Sequence, residues 1–369
     1  MLFFFLMKNM LKHLIAAAQR APSGDNCQPF KFKIENETTM SIWHSDQMAM
    51  HFFNVCNSAS YISLGMVLET IIIEATGFNF ETHYDFINST EKDQEFACWA
   101  RVHFTKKSDV KFDPLVGTYY GRWTSRMKYE NAQLPKEMYD ELVLQCKIAS
   151  TDISIYHAKP TDKDFISYLK TSELYLWKYS QAARDFLKMV RISDSNKSET
   201  RNGIKLAELH LNLFEAFLLK MMMRCPLLIP FFYHAGLKKV TQLLAQKNYF
   251  NSAGLVIFCT PRSEIFETSL INTGRTSMRA WLYLNANGYA VQPNTLASLM
   301  PFQFENNKIP TSVDITDRNF LGTAADLMKT YFKISNNEHL VWALRIGKSK
   351  DKNNYVRSSR FKLEDVIKK

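Results

Sequence analysis

The chain has 369 residues, 46% hydrophobic, 13% aromatic and 22% charged, a balance that excludes a disordered polypeptide and supports a sizeable core. Its net charge of +10 is spread over the whole length, without a dense basic block, zinc-finger spacing or RNA-binding aromatic signature, so no nucleic acid is expected as a partner and the charge favours solubility and anionic ligands. Six scattered cysteines form no CxxC pair and do not cluster with the nine histidines; this argues against structural zinc and a secreted disulfide framework, and no metal ligands are assigned.

The length exceeds a single ordinary core, so two units or one large interwoven unit are expected. The apolar start, MLFFFLMKNM, is too short to span a bilayer and reads as the beginning of a packed helix continuing through Lys8–Gln19. The polar run Arg20–Phe30, RAPSGDNCQPF, follows. Ala21-Pro22 disfavours further helix, and Ser23, Gly24, Asp25 and Asn26 are turn and capping residues. Two readings stay open for this loop: a plain helix-to-strand connection, or a holder for a planar hydrogen-bonding ligand. Cys27 reads as a small packed residue.

Phe30–Ile34 and Met40–Trp43 predict a hairpin around Asn36-Glu37. Asn54–Thr76 predicts a long apolar helix stopping at Gly77, and Phe78–Phe86 and Phe96–Phe104 predict strands around the charged turn Thr90–Glu95. The composition turns polar at Lys106–Asp113, and Pro114 opens a new section, so the boundary between residues 1–113 and 114–369 is placed there. A basic, hydroxyl-rich loop then precedes a helix marked by Pro135 and Glu137. Ile153–His157 predicts a strand, and two or three helices are expected between Asp162 and Ala245, interrupted by the polar run Ser193–Asn202.

Within that region Leu211–Gly236 is rich in Leu, Met and Phe but carries Glu215, Lys220, Arg224 and two prolines. A buried lid or an amphipathic surface segment fits it better than a span, and with the basic charge it also allows a membrane-peripheral reading; no integral membrane span is expected. Gly254–Thr260 predicts a buried strand, Phe266–Asn287 a long helix, Gly288–Met300 an irregular crossing, Phe320–Phe332 a helix and His339–Ile346 the last strand. The two longest apolar helices end alike, Ala75-Thr76-Gly77-Phe78 against Ala286-Asn287-Gly288-Tyr289, a weak internal repeat suggesting two related halves.

Four stretches carry a resemblance. Pro22, Ser23, Asn26 and Gln28 fit a Pro-Ser-x-x-Asn-x-Gln-Pro loop, Arg122, Thr124 and Arg126 in RWTSR fit an Arg-x-Ser-x-Arg loop, VQPNT (Val291–Thr295) follows a Gly-terminated helix, and RSSR ends at Arg360. Together they resemble the FMN-dependent nitroreductase family, in particular its long members that fuse two family units in one chain. The resemblance implies an α+β fold with a central, mainly antiparallel sheet flanked by helices and two related halves forming a pseudo-dimer, residues 182–245 being a helical lid-like insertion in the second half. It also implies a cytoplasmic protein, monomeric as a pseudo-dimer or assembled into a higher homo-oligomer.

The same resemblance implies the site. Arg122 and Arg360 would hold the FMN phosphate, with Arg357 either beside them or merely a solvated C-terminal arginine. Thr124 would reach phosphate or ribityl oxygen, and Arg126 would stabilise negative charge on the reduced ring. Ser23, Asn26 and Gln28, in the loop that Pro22 opens and that is cofactor-binding as a whole, would hydrogen-bond the pyrimidine edge or shape the ring pocket from the other half. Backbone from Gln292, Pro293, Asn294 and Thr295 would lie beside flavin N5, although the family often has Glu-Gly where Thr295-Leu296 stands. The first half begins too late to hold its own Arg-x-Ser-x-Arg loop and the second shows no Asn-x-Gln-Pro loop after RWTSR, so one FMN per chain is implied. The implied activity is ping-pong hydride transfer from NAD(P)H to a nitroaromatic, quinone or other small electron-poor acceptor; the alternative is a catalytically weak flavin-binding or flavin-sequestering protein. No GxGxxG occurs, so no Rossmann nicotinamide site is expected.

Overall fold

The computed structural model describes residues 2–87, 91–192, 201–349 and 356–368; most of the Ser193–Asn202 run and Thr90 of the charged turn lie outside them. Helix α1 (Leu2–Ala18) begins earlier than Lys8, carried by the apolar start. After the Arg20–Pro29 loop, β1 (Phe30–Asn36) and β2 (Thr39–His44) form the expected hairpin, Phe30 opposite His44 and Asn36 opposite Thr39. Next come α2 (Ser58–Thr76), β3 (Phe80–Phe86) and β4 (Ala97–Lys106), giving an antiparallel sheet in the order β1-β2-β4-β3.

The second sheet repeats that order. Helix α3 (Lys136–Ala149) leads to β5 (Ser154–Ala158), which is followed by α4 (Lys163–Ser172), α5 (Ser180–Met189), α6 (Leu213–Arg224) and α7 (Lys238–Phe250). The chain resumes with β6 (Gly254–Pro261), α8 (Phe266–Ala286), β7 (Ala290–Pro293), α9 (Leu299–Glu305), α10 (Ile315–Phe332) and β8 (Glu338–Ser349). The order β5-β6-β8-β7 is antiparallel throughout, and Tyr129–Glu130 adds to β8. In both sheets the long helix joins the second and third strands. The antiparallel sheet structure is thus divided over two sheets rather than one central one.

Several expectations shift in the structure. Among the described residues, the region from Asp162 to Ala245 holds all or part of four helices of at least ten residues rather than two or three, because the π-turn and the single helical turns after Pro226 break an apolar run that looks continuous in sequence. The irregular crossing after Gly288 contains a strand, β7, whose pairing with β8 overrides its proline; Pro293 sits at its end, where a missing N–H is tolerated. Gly77 follows α2 at φ −63°, so the left-handed residue is Asn79, with φ 61°.

What holds the two sheets together is the contact of α2 with α8. A Cβ on Gly65 would lie 2.0 Å from the Ile271 carbonyl oxygen, and one on Gly274 would lie 2.1 Å from that of Ile62. The helices therefore touch backbone to backbone. Next to this crossing, Glu69 is buried and accepts from Arg275 Nε at 2.9 Å and from Arg279 Nη1 at 2.9 Å, while Arg279 Nη2 donates to Asp113 at 2.7 Å. The Val55–Thr76 stretch is long and apolar enough to cross a membrane, but most of it is buried here as a core helix. The C-terminal segment returns to the first sheet: Ile367 bridges Phe32 in parallel, and Lys368 N donates to the Phe32 carbonyl at 2.7 Å.

Gly65→Ala and Gly274→Ala should each destabilise the protein by on the order of 3 kcal/mol, because backbone cannot yield to a methyl group. Urea unfolding checks this; losses under about 0.5 kcal/mol would place the helices further apart than stated.

Candidate functional site

The Arg20–Pro29 loop is held in an unusual backbone. Asp25, Asn26 and Gln28 have φ of 45°, 59° and 53°, a left-handed region that Asn and Asp tolerate better than most residues. Ser23 Oγ accepts from Gln28 N at 2.9 Å, pinning the turn from within. Pro22 opens the loop half-buried. The amides of Asn26 and Gln28, expected to face a ligand, are engaged by protein backbone. Asn26 Nδ2 donates to the carbonyls of Gly203 at 2.8 Å and Ser359 at 3.1 Å. Gln28 Nε2 donates to Arg201 O at 2.9 Å, and its Oε1 accepts from Phe361 N at 3.0 Å. These side chains strap the loop to the C-terminal segment and to residues 201–203.

The arginines expected at a phosphate converge on the same place. Arg122 is buried; its Nε and Nη2 donate to the Arg20 carbonyl at 3.1 and 2.9 Å, and its plane lies 5.0 Å from the Trp281 ring. Arg360 donates from Nε to Gln19 O at 2.9 Å and from Nη1 to Asn26 Oδ1 at 2.5 Å. Both thus meet the carbonyl end of α1, where positive charge is favoured. That end does not neutralise them. Burial, then the charges of Arg360, Arg20 and Arg357, push the Arg122 pKa well down, and burial with Arg20 pushes Arg360 down to about 10. Arg122 Nη1 is buried without a hydrogen-bond partner.

The cavity at this cluster is lined by Arg20, Arg122, Thr124, Arg357 and Arg360, with one carboxylate among the described residues, Glu208. Glu208 is already used: it accepts from Lys205 N at 3.1 Å and from Ser358 Oγ at 2.5 Å, and lies 3.8 Å from Arg126. Burial lowers the pKa of Arg126, against the opposing pull of Glu208 and Asp25. A second cavity, about 440 Å³, opens beside it between Tyr119, Tyr120, Arg201 and Arg360. The Arg122–Arg126 loop is held by its backbone, Trp123 N donating to Asn285 Oδ1 at 3.2 Å and Ser125 N to Val291 O at 2.9 Å.

The fourth predicted stretch divides. Thr295 shares a mainly apolar cavity of about 230 Å³ with Ser23, Asp25, His51, Phe186 and Met189. Gln292, Pro293 and Asn294 line another of about 200 Å³ with Glu173, Tyr249 and Arg345. There Gln292 Oε1 accepts from Arg345 Nη2 at 2.5 Å and Asn294 Nδ2 donates to the Tyr249 hydroxyl, which donates to Glu173 at 2.6 Å. Burial raises the Glu173 pKa despite that bond. The split has a simple cause: Gln292 lies opposite Arg345 in the β7–β8 ladder, and its side chain follows that pairing, whereas Thr295 is past the strand.

Arg20, Glu208, His51 and the aromatic pair Tyr119 and Tyr120 were not legible as site residues. Arg20 reads from sequence as a helix-capping residue, Tyr119 and Tyr120 stand just before the Arg122–Arg126 loop without a motif of their own, and Glu208 and His51 arrive from other segments. No protein-family model matches the chain, and no curated protein matches it. Among solved structures, the chain is similar to the FMN-dependent nitroreductase NfnB from Mycobacterium smegmatis in complex with NADPH, at 12% identity and TM-score 0.37, over 68% of this chain and 95% of that one. A nitroreductase with bound FMN from Desulfitobacterium hafniense is similar at 8% identity and TM-score 0.36, over 68% and 95%. Nitroreductase A from Vibrio parahaemolyticus gives 10% and 0.36, over 70% and 76%. Likenesses this distant carry no conclusion about activity.

Cys27 is a packed residue in the loop, its thiol pKa pushed up to about 12 chiefly by burial, and Cys98, Cys146 and Cys259 are also buried. In native protein a disulfide reagent at neutral pH should therefore titrate Cys56 and Cys225 quickly and the other four only after unfolding. Rapid labelling of Cys27 would mean that the loop opens readily.

Proposed function

We propose that this chain is an FMN-dependent NAD(P)H oxidoreductase of nitroreductase type, binding one FMN per chain at a site shared by two related halves. The observation that carries the proposal is the arginine cluster, in which Arg20, Arg122, Arg357 and Arg360 gather around a cavity whose one carboxylate among the described residues is already hydrogen-bonded. Such a cluster calls for a compact dianion, and the buried, unpartnered Arg122 Nη1 is the donor it lacks a match for. A phosphate monoester fits this donor set, with Thr124 adding a hydroxyl.

Ser23 and Thr295 supply polar groups at the edge of the mainly apolar cavity next to the loop, a fitting wall for a planar ring. Arg126 would stabilise negative charge on that ring, and Asn26 and Gln28 would fix the loop rather than touch the cofactor. Gln292, Pro293 and Asn294 would act by holding the backbone that leads into Thr295. When bound, FMN would supply ping-pong hydride transfer from NAD(P)H to a small electron-poor acceptor. The shared strand order of the two sheets supports two related halves. The α3-to-β5 connection, residues 150–153, is far shorter than the Arg20–Pro29 loop and cannot form its counterpart, which supports a single cofactor.

Purified protein should be yellow with one FMN per chain, bleached by NADH or NADPH under anaerobic conditions. Arg122→Ala and Arg360→Ala should each weaken FMN binding by about 1.5–3 kcal/mol, roughly 10- to 150-fold. Two flavins per chain would sink the single-site reading, and undiminished retention in both variants would move the phosphate elsewhere.

A further inference from the structure

The α6–α7 region presents an apolar surface that none of the described residues covers. Leu213, Phe214, Phe217, Leu227 and Phe231 are 93%, 70%, 60%, 88% and 65% exposed, whereas single exposed apolar residues are ordinary and a run of large ones is not. They lie on an element that bends by 113° between Leu213–Arg224 and Pro226–Phe250. Its inner side is fastened to the protein: Leu219, Met222 and Ile229 pack with Ala183, Leu187 and Val190 in one cluster. The bend and the fastened side make this a surface element rather than a span.

The charge of the same element says what covers it. Residues 213–250 carry Lys220, Arg224, Lys238, Lys239 and Lys247 against one acidic residue, Glu215. A second copy of the chain meeting this face about a two-fold axis would set the basic set against itself. An anionic lipid surface complements it, accepting Leu and Phe side chains at the acyl boundary while the lysines meet the headgroups. We infer that the α6–α7 element docks the protein on the surface of anionic membranes without crossing them, with Leu227 and Phe231 inserted and Lys238 and Lys239 on the headgroups. This does not depend on the flavin reading.

The test is co-sedimentation of the full chain with vesicles of phosphatidylcholine alone and of phosphatidylcholine mixed with phosphatidylserine, at low and high salt. The wild type should bind the mixed vesicles, release with salt and bind the neutral ones far less. Lys238→Gln/Lys239→Gln should weaken binding to the mixed vesicles about 30-fold, and Leu227→Ser/Phe231→Ser should abolish it, both with unchanged thermal melting. A wild type left in the supernatant with both vesicles overturns the proposal, as does equal binding to neutral and anionic vesicles. A concentration-dependent dimer in sedimentation velocity that Leu227→Ser/Phe231→Ser dissolves would overturn it too, assigning the face to a second copy.

Discussion

The close crossing of α2 and α8 sets how the two sheets sit against each other. Without side chains at Gly65 and Gly274 the two backbones meet directly, and each helix joins the second and third strands of its own sheet. A shift at that crossing would move the sheets relative to each other, and with them the loops that follow α1 and precede α3. The buried Glu69 adds direction to a contact that is otherwise only steric. Bonded to Arg275 and Arg279, with Arg279 passing on to Asp113, it fixes the rotation of one helix on the other, because an unpaired charge there would be strongly unfavourable.

The arginine cluster lies at the far end of the same framework. Arg122 reaches it because Trp281, on α8, lies beneath its guanidinium and donates from Nε1 to the Trp123 carbonyl at 3.1 Å. Arg360 reaches it because the C-terminal segment is tied to Asn26 and Gln28. Two arginines on unrelated segments thus converge on the last carbonyls of α1. That end offers partial negative charge equivalent to roughly half an electron, less than four guanidiniums need, and the downward shifts of Arg122 and Arg360 come from burial first and from the neighbouring arginines second.

The sequence made the elements legible where a single period dominated. β6 is buried along nearly all its length and reads as a short apolar run; α2 and α8 read as long helices. β7 was hidden because its reason to exist is the partner strand β8, and a proline-bearing tetrapeptide has no signal of its own. Of the site, the basic stretches and the turn-rich loop were legible from residue type alone. What Asn26 and Gln28 touch was not, since their partners at Gly203, Ser359 and Phe361 are backbone groups from the middle and the far end of the chain. Glu208 and Arg20 were missed for the same reason: a site made by convergence leaves no spacing to read.

Residues 159–192 and 201–253 tie these observations together. They enter between the first two strands of the second sheet, where the first sheet has only a tight turn. From there they send Arg201 and Gly203 to the opening loop, Glu208 to the arginine cluster, and Phe186 and Met189 to the apolar cavity. Phe186 and Met189 belong to α5, whose Ala183 and Leu187 pack on Leu219 and Met222 of α6. The cavity wall and the uncovered apolar face are therefore separated by one layer of packed side chains.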